Sequence, residues 1–247
     1  MYKFFVNQEQ IKENTIRIIG EDVNHIKNVL RLEVGESICI CGKETSKSFK
    51  CKITSLEKEE VRCEKLEEIL ETTEPNTYIH ILQGLPKADK FEWIIEKCTE
   101  IGVKEITPVI MKRTIVKLDE KDKDKKLSRW QKVAEVAAKQ SKRDCILNVN
   151  PIINFQNIFE KIKDYDILLV AYENEKENTL KSVITKLKNK ENLKIAVLIG
   201  PEGGIDENEI NLCKENNFMP VTLGKRILRT ETAPLVIASN ILYELED

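Results

Sequence analysis

The chain has 247 residues, 41% hydrophobic and 33% charged, with 40 Lys+Arg against 42 Asp+Glu and a net charge of −2. This length and balance give one large or two modest domains with enough core to fold unaided, and exclude wholesale disorder and fibrous repeats. No window approaches a membrane-spanning apolar run and Met1–Val6 lacks the apolar core of a secretory signal, so a cytoplasmic protein without membrane contact is expected.

In chain order, short β-prone runs occur at Phe4–Val6, Thr15–Ile19, Ser37–Ile40, Ser48–Ile53 and Val61–Glu64, punctuated by Gly20, Gly35 and Gly42. An amphipathic stretch, Asp22–Leu30, lies between the second and third. This spacing predicts a small, mostly β barrel. An acidic stretch then closes at the breaker cluster Thr72–Asn76.

After Pro75 the rhythm changes. Strands are predicted at Tyr78–Leu82, Glu105–Ile110, Ile167–Ala171, Lys194–Ile199 and Pro220–Leu223. Between them, Asp89-x-x-Glu92 resembles a capping box opening a helix that Gly102 ends. Further helices are predicted at Ser128–Lys142, Thr179–Lys188, Asp206–Asn216 and Thr232–Leu245, whereas Val116–Leu127 reads as charged and irregular. Trp93 and Trp130 sit at helical spacing among apolar residues and read as core. Alternating strand and helix predicts a mostly parallel α/β sheet.

Net charge hides a pattern. Residues 81–150 carry sixteen cations against eleven carboxylates, while residues 56–80 carry three against eight. Lys87, Lys90, Lys112, Arg113, Lys117, Arg129, Lys139, Lys142 and Arg143 are candidate phosphate contacts in this basic block. In the barrel, Lys27 and Arg31 join them. The seven cysteines are scattered without a C-x-x-C and there are only two His, so buried thiols and no metal site are expected.

Glycine positions exclude several chemistries. No G-x-G-x-x-G, no G-x-x-x-x-G-K-[ST] and no G-x-S-x-G exists, which weakens dinucleotide, phosphate-loop and nucleophile-elbow readings. Two loops at strand ends remain, where open α/β sheets bind ligands. One is Ile199-Gly200-Pro201-Glu202-Gly203-Gly204, whose glycines let backbone approach a ligand. The other, Leu223–Pro234, packs Lys225, Arg226, Arg229 and Glu231 beside Ile227 and Leu228.

On these residues the chain resembles the RsmE family, bacterial enzymes of the knotted SPOUT superfamily that methylate uridine N3 in small-subunit ribosomal RNA. The resemblance runs through His25-x-x-x-Val29-Leu30-Arg31, the segment Lys87–Val103, Arg129-Trp130 and Gln140-Ser141-x-Arg143, the glycine loop, and Leu223–Pro234. Ala88 departs from the pattern where glycine is common, and Ile205 where an aromatic is frequent. The resemblance implies a PUA-like β-barrel over residues 1–72 for RNA and a SPOUT α/β trefoil-knot methyltransferase domain over residues 73–247. It also implies a homodimer, with 16S rRNA in the small ribosomal subunit as substrate.

It further implies S-adenosyl-L-methionine in a cleft formed by Ala171 and Tyr172, by Ile199, Gly200, Glu202 and Gly203, and by Leu223, Ile227, Leu228, Thr232 and Ala233. RNA contacts would fall to Lys27, Arg31, Lys90, Arg113, Arg143 and Lys225. Uracil N3 must lose its imide proton. Glu202 or Glu231 would take it if their environment raises their pKa, and Arg229 would stabilise the oxyanion. A ribose 2′-O-methyltransferase and a non-catalytic RNA-binding assembly factor remain as alternatives.

Overall fold

The computed structural model describes residues 1–116, 119–188 and 190–246. They fall into two compact units, one of Met1–Glu74 with Ala138–Ile146, the other of Pro75–Ala137 with the chain from Leu147 on. In the first unit β1 (Lys3–Val6), β2 (Thr15–Ile19), β3 (Ser37–Gly42), β4 (Ser48–Leu56) and β5 (Glu60–Ile69) form one sheet in the order β1-β3-β4-β5-β2. Only β1 and β3 pair in parallel.

Period-two alternation sends Ile16 and Ile18 inward and Thr15, Arg17 and Ile19 outward. Phe4 and Val6 from one edge strand share a core with Ile16 and Ile18 from the other, and with Ile38, Ile40 and Ile53 between them. Both edges can meet one core only if the sheet curls, so it is a half-barrel. Helix α1 (Glu21–Asn24) continues as a π-helical turn, His25–Val29, and adds Val23 and Ile26 to that core. Strand β5 runs five residues beyond its predicted end because Ser48, Phe49 and Lys50 of β4 pair with Ile69, Glu68 and Glu67, while both glutamates stay in solvent.

Residues 138–146 join this unit through buried carboxylates. Asp144 accepts from Lys3 Nζ (2.6 Å), Ser48 Oγ (2.5 Å) and the Thr73 amide (2.8 Å). Burial pushes its pKa up, but these donors outweigh burial and hold it below the ordinary value. Glu74 accepts from Arg143 Nη2 (2.6 Å) and the Asp144 amide (2.9 Å). The units therefore differ from a single cut at residues 72/73, since two charged partners lie some seventy residues apart in sequence.

In the second unit β6 (Tyr78–Gly84), β7 (Glu105–Ile110), β8 (Asn148–Val149), β10 (Ile167–Ala171), β11 (Lys194–Ile199) and β12 (Met219–Val221) lie in the order β12-β10-β11-β6-β7-β8. Strand β9 (Ile153–Asn154) also pairs with β7, and every pairing is parallel. The helices are α2 (Lys90–Ile101), α3 (Glu120–Gln140), α4 (Ile158–Lys161), α5 (Leu180–Ile184), α6 (Glu207–Glu215) and α7 (Thr232–Leu245). Among the described residues no helix is long and apolar enough to cross a membrane.

Three expectations are corrected. Asp89 opens α2 but makes no side-chain cap bond, although Gly102 ends the helix at φ +116° as expected. Helix α3 begins at Glu120 rather than Ser128, because no Gly or Pro interrupts this charged stretch and Lys and Glu are good helix formers; Lys117 and Leu118 lie outside the described residues. Trp130 is buried against Phe91, with ring centroids 4.5 Å apart, but Trp93 is 43% exposed. Phe91, Ile94, Ile95 and Cys98 fill the buried face of α2, and Trp93 falls beside it.

At the start of the parallel strands lies a closed polar ring. Asn150 Nδ2 donates to Thr107 Oγ1 (2.7 Å), whose hydroxyl can donate to His80 Nε2 (2.7 Å); His80 Nδ1 then meets the Tyr165 hydroxyl (2.8 Å). Tyr165 donates to Glu105 (3.2 Å), and Asn150 closes the ring by donating to the same carboxylate. A neutral imidazole satisfies this ring with one donor and one acceptor.

Burial pushes the His80 pKa down to about 4, against a smaller opposing pull from Glu105. The unfolded chain therefore binds this proton before the native state does. Stability is full above the unfolded value of about 6.5 and falls by about 3 kcal/mol as pH drops toward 4. Urea melts at pH 7 and pH 4.5 should show this loss, and His80→Gln should flatten it.

Candidate active site

Strand β6 has β7 on one side and β11 on the other, so the chain changes direction across the sheet between β6 and β11. A parallel sheet opens a crevice at the carboxyl ends of such strands. Here the loops after β10, β11 and β12 enclose a cleft of about 420 Å³.

Glycine brings these loops together. A Cβ on Gly84, the last residue of β6, would lie 2.5 Å from the Pro201 nitrogen, and one on Gly200 would lie 2.8 Å from Ile205 Cγ1. Thr230 then ties three segments. Its hydroxyl donates to the Gly200 carbonyl (2.7 Å) and accepts from Gln83 Nε2 (3.0 Å). Gln83 is fully buried and also donates to the Gly84 carbonyl (3.0 Å).

Farther along, Glu209 accepts from the amides of Lys112 (2.8 Å) and Asp206 (3.2 Å). These bonds fix the start of α6 behind the glycine loop. Lys112 Nζ meets Asp206 at 3.0 Å on the same side.

Most of the residues expected to hold the cofactor line the cleft: Ala171, Tyr172, Ile199, Gly200 and Glu202, and on the later loop Leu223, Ile227, Leu228 and Ala233. Two do not. Gly203 turns toward Arg113, whose Nη1 donates to its carbonyl (3.0 Å). Thr232 opens α7, its amide donating to the Arg229 carbonyl (2.9 Å). Ile205 lines the cleft without having been expected there, and Thr230, inside the expected loop Leu223–Ala233 but not singled out, lines it too.

The charged residues form one cluster. Lys90 Nζ lies 3.3 Å from Glu202 Oε1 and 3.2 Å from Glu231 Oε2. Glu202 Oε1 also accepts from the Lys87 amide (3.0 Å), and Arg229 Nη1 stands 4.0 Å from Glu231 Oε1. Arg229 is the open member, with 83% of its side chain exposed. Burial would raise the Glu202 pKa, but the Lys87 amide, its own amide and Lys90 outweigh burial and hold it below the usual carboxylate value. The raised pKa expected of a base at Glu202 is therefore corrected. The turn before α2 places Ala88 at φ +54°, the left-handed region that favours glycine, where the sequence departs from its family pattern.

The expected RNA contacts divide. Arg113 and Lys225 are exposed in the second unit, Lys225 on the cleft. In the first unit Arg31 is exposed, and Lys27 is half-buried with its ammonium on the Glu57 carbonyl (2.6 Å). Arg143 is 3% exposed and paired with Glu74, which corrects its assignment to RNA. Lys90 faces carboxylates. Lys117 lies outside the described residues.

A parallel sheet with a cleft at its strand ends, together with a curled β half-barrel in the same chain, is the two-part architecture of an RNA methyltransferase domain joined to an RNA methyltransferase PUA domain. Family models agree: an RNA methyltransferase domain matches residues 72–242 and an RNA methyltransferase PUA domain matches residues 18–66. The ribosomal RNA small subunit methyltransferase E of Bacillus subtilis is 38% identical over all of this chain and 98% of its own length. The Mesomycoplasma hyopneumoniae protein of that name is 34% identical over 99% of this chain and all of its own. A crystal structure of the Neisseria gonorrhoeae enzyme of the same name, bound to S-adenosyl methionine, superposes with a TM-score of 0.86 at 31% identity, covering 98% of this chain and 97% of that one. The chain belongs to the ribosomal RNA small subunit methyltransferase E family.

Removing the Thr230 hydroxyl takes a donor from the half-buried Gly200 carbonyl and an acceptor from Gln83, whose Nε2 keeps its bond to the Gly84 carbonyl. Thr230→Val should lower the unfolding free energy by about 1–2 kcal/mol in denaturant melts, and Thr230→Ser should restore most of it. Gly84→Ala should weaken cofactor binding by calorimetry, because its methyl group displaces Pro201.

Proposed function

We propose that this protein transfers a methyl group from S-adenosyl-L-methionine to N3 of a uridine in the 16S rRNA of the small ribosomal subunit, and that it acts as a homodimer. The observation that supports this most is the cleft itself. Its walls come from the three loops that the family pattern assigns to the cofactor, and its far edge carries a guanidinium beside two carboxylates. The residues present fit the cofactor: Gly84 and Gly200 let the loops that bound the cleft pack together, Leu223, Ile227 and Leu228 offer apolar walls, and exposed amides can read polar edges. When bound, S-adenosyl-L-methionine supplies an electrophilic methyl group on a sulfonium.

The chain's own residues would do the rest. The glycine loop and Leu228 hold the cofactor's adenine end. Glu231, with its side chain 16% exposed, would receive the N3 proton. Arg229 reaches outward from the cleft and can neutralise charge developing on O2 or O4. Lys225 and Arg113 extend positive charge along the second unit, and Lys27 and Arg31 do so on the first, as RNA binding requires.

The family resemblance supports a second copy, with α7 and the strand-end loops at the contact.

Arg229→Ala should bind cofactor with unchanged affinity and transfer methyl about 10²–10³-fold more slowly. The wild-type enzyme, given labelled methyl donor and unmethylated small subunits or naked RNA, should yield 3-methyluridine by mass spectrometry of digested RNA. A 2′-O-methylated nucleoside would overturn the position, and no transfer despite cofactor binding would favour an assembly factor.

A further inference from the structure

We infer that Lys90 is a positioning residue for methyl transfer, its ammonium holding Glu202 and Glu231 together at the acceptor edge of the cleft instead of gripping an RNA phosphate. This rests on the reading of the cleft as the methyl-transfer site. Three observations carry it.

Lys90 opens α2, and its Nζ reaches carboxylates from two other loops at 3.3 and 3.2 Å. It is therefore the one ammonium, among the described ion pairs, that joins the glycine loop to the entry of α7. Its side chain is 35% exposed against 83% for Arg229. To neutralise a phosphate it would first have to release both carboxylates, whereas Arg229, Lys225 and Arg113 are already open to solvent.

Glu231 supplies the third observation. It occupies the position before the first residue of α7, where a shorter Asp would turn back onto the helix amides. Its side chain makes no such bond and points to Lys90. Glu202 is fixed from a second side by the Lys87 amide, so the ammonium sets the spacing of the pair.

The step balances with Lys90 as a spectator in proton transfer. The uracil N3–H bond breaks and its proton passes to a carboxylate oxygen of Glu231. The nitrogen electron pair forms the N–CH₃ bond as the C–S bond breaks, and that bond's electrons stay on sulfur. Lys90 keeps the receiving carboxylate aimed, while Arg229 faces the base. The other charged groups on this cleft are Glu173, Lys225 and Arg226.

The test compares the wild-type full chain with Lys90→Met, Lys90→Gln and Lys90→Arg on unmethylated small-subunit RNA. Four quantities are measured: kcat and KM against pH, the salt dependence of RNA binding, S-adenosyl-L-methionine affinity by calorimetry, and thermal unfolding. Removing the ammonium should lower kcat by about 100-fold, the scale of a misplaced reacting group. The acid limb of the pH profile should move to higher pH, since Glu202 loses the cation that helps hold its pKa down. Cofactor affinity and the salt slope of RNA binding should stay as in the wild type, and Lys90→Arg should return the acid limb toward its original place.

A phosphate contact gives a different result: kcat and the pH profile unchanged, with the salt slope reduced by about 1. That outcome overturns the assignment. If Lys90→Met unfolds, Lys90→Gln, which keeps a polar side chain of similar length, must show the same kcat loss and pH shift; wild-type kinetics there also overturns it. Failure of the underlying reading is separate, because the wild-type protein would then bind no S-adenosyl-L-methionine.

Discussion

The cleft depends on one hydroxyl. Thr230 joins Gly200, thirty residues before it, to Gln83, 147 residues before it, and does so at the floor of the cleft against the buried Gln83 amide. Hydrogen bonds of this kind contribute modestly when made and cost much more when one partner is left alone, so the three segments hold or loosen together. The close approach of Gly84 and Pro201 adds a steric requirement to the same point. Because the loops meet where the strand order reverses, the sheet supplies the opening and the hydroxyl supplies its shape.

Carboxylates perform different tasks in the two units, and their surroundings decide which. Asp144 and Glu74 are buried and surrounded by donors, and they recruit residues 138–146 into the first unit. Such groups are costly to bury and persist only because every oxygen is paired. Glu202 and Glu231 sit at a half-open edge where one ammonium serves both. Arg143 and Arg229 show the same contrast among cations: the first is sealed against Glu74, while the second stands in solvent where a substrate can meet it.

Regular elements were legible wherever one residue pattern served one face. Thr15–Ile19, Glu105–Ile110, Ile167–Ala171 and Lys194–Ile199 occupy the predicted positions because alternation or a short apolar run leaves little choice of burial. Legibility failed where charge masked propensity. Helix α3 starts in a run of Asp and Lys that carries no apolar period, and β5 continues through glutamates that face water. Strands β8 and β9 have two residues each, too few for any pattern.

Composition and spacing by themselves determined the two-part organisation, the parallel α/β character of the later part, and the two strand-end loops that became the cleft. These follow from local rules of period, breaker residues and glycine freedom. Tertiary structure alone decided which charges are available. Lys90, Arg143 and Arg229 are alike in sequence as cations with another cation within three residues, yet one bridges two carboxylates, one is buried and one is open. It also turned Gly203 away from the cleft and placed Thr230 within it. Pairing and burial arise between residues far apart along the chain, and no local pattern encodes them.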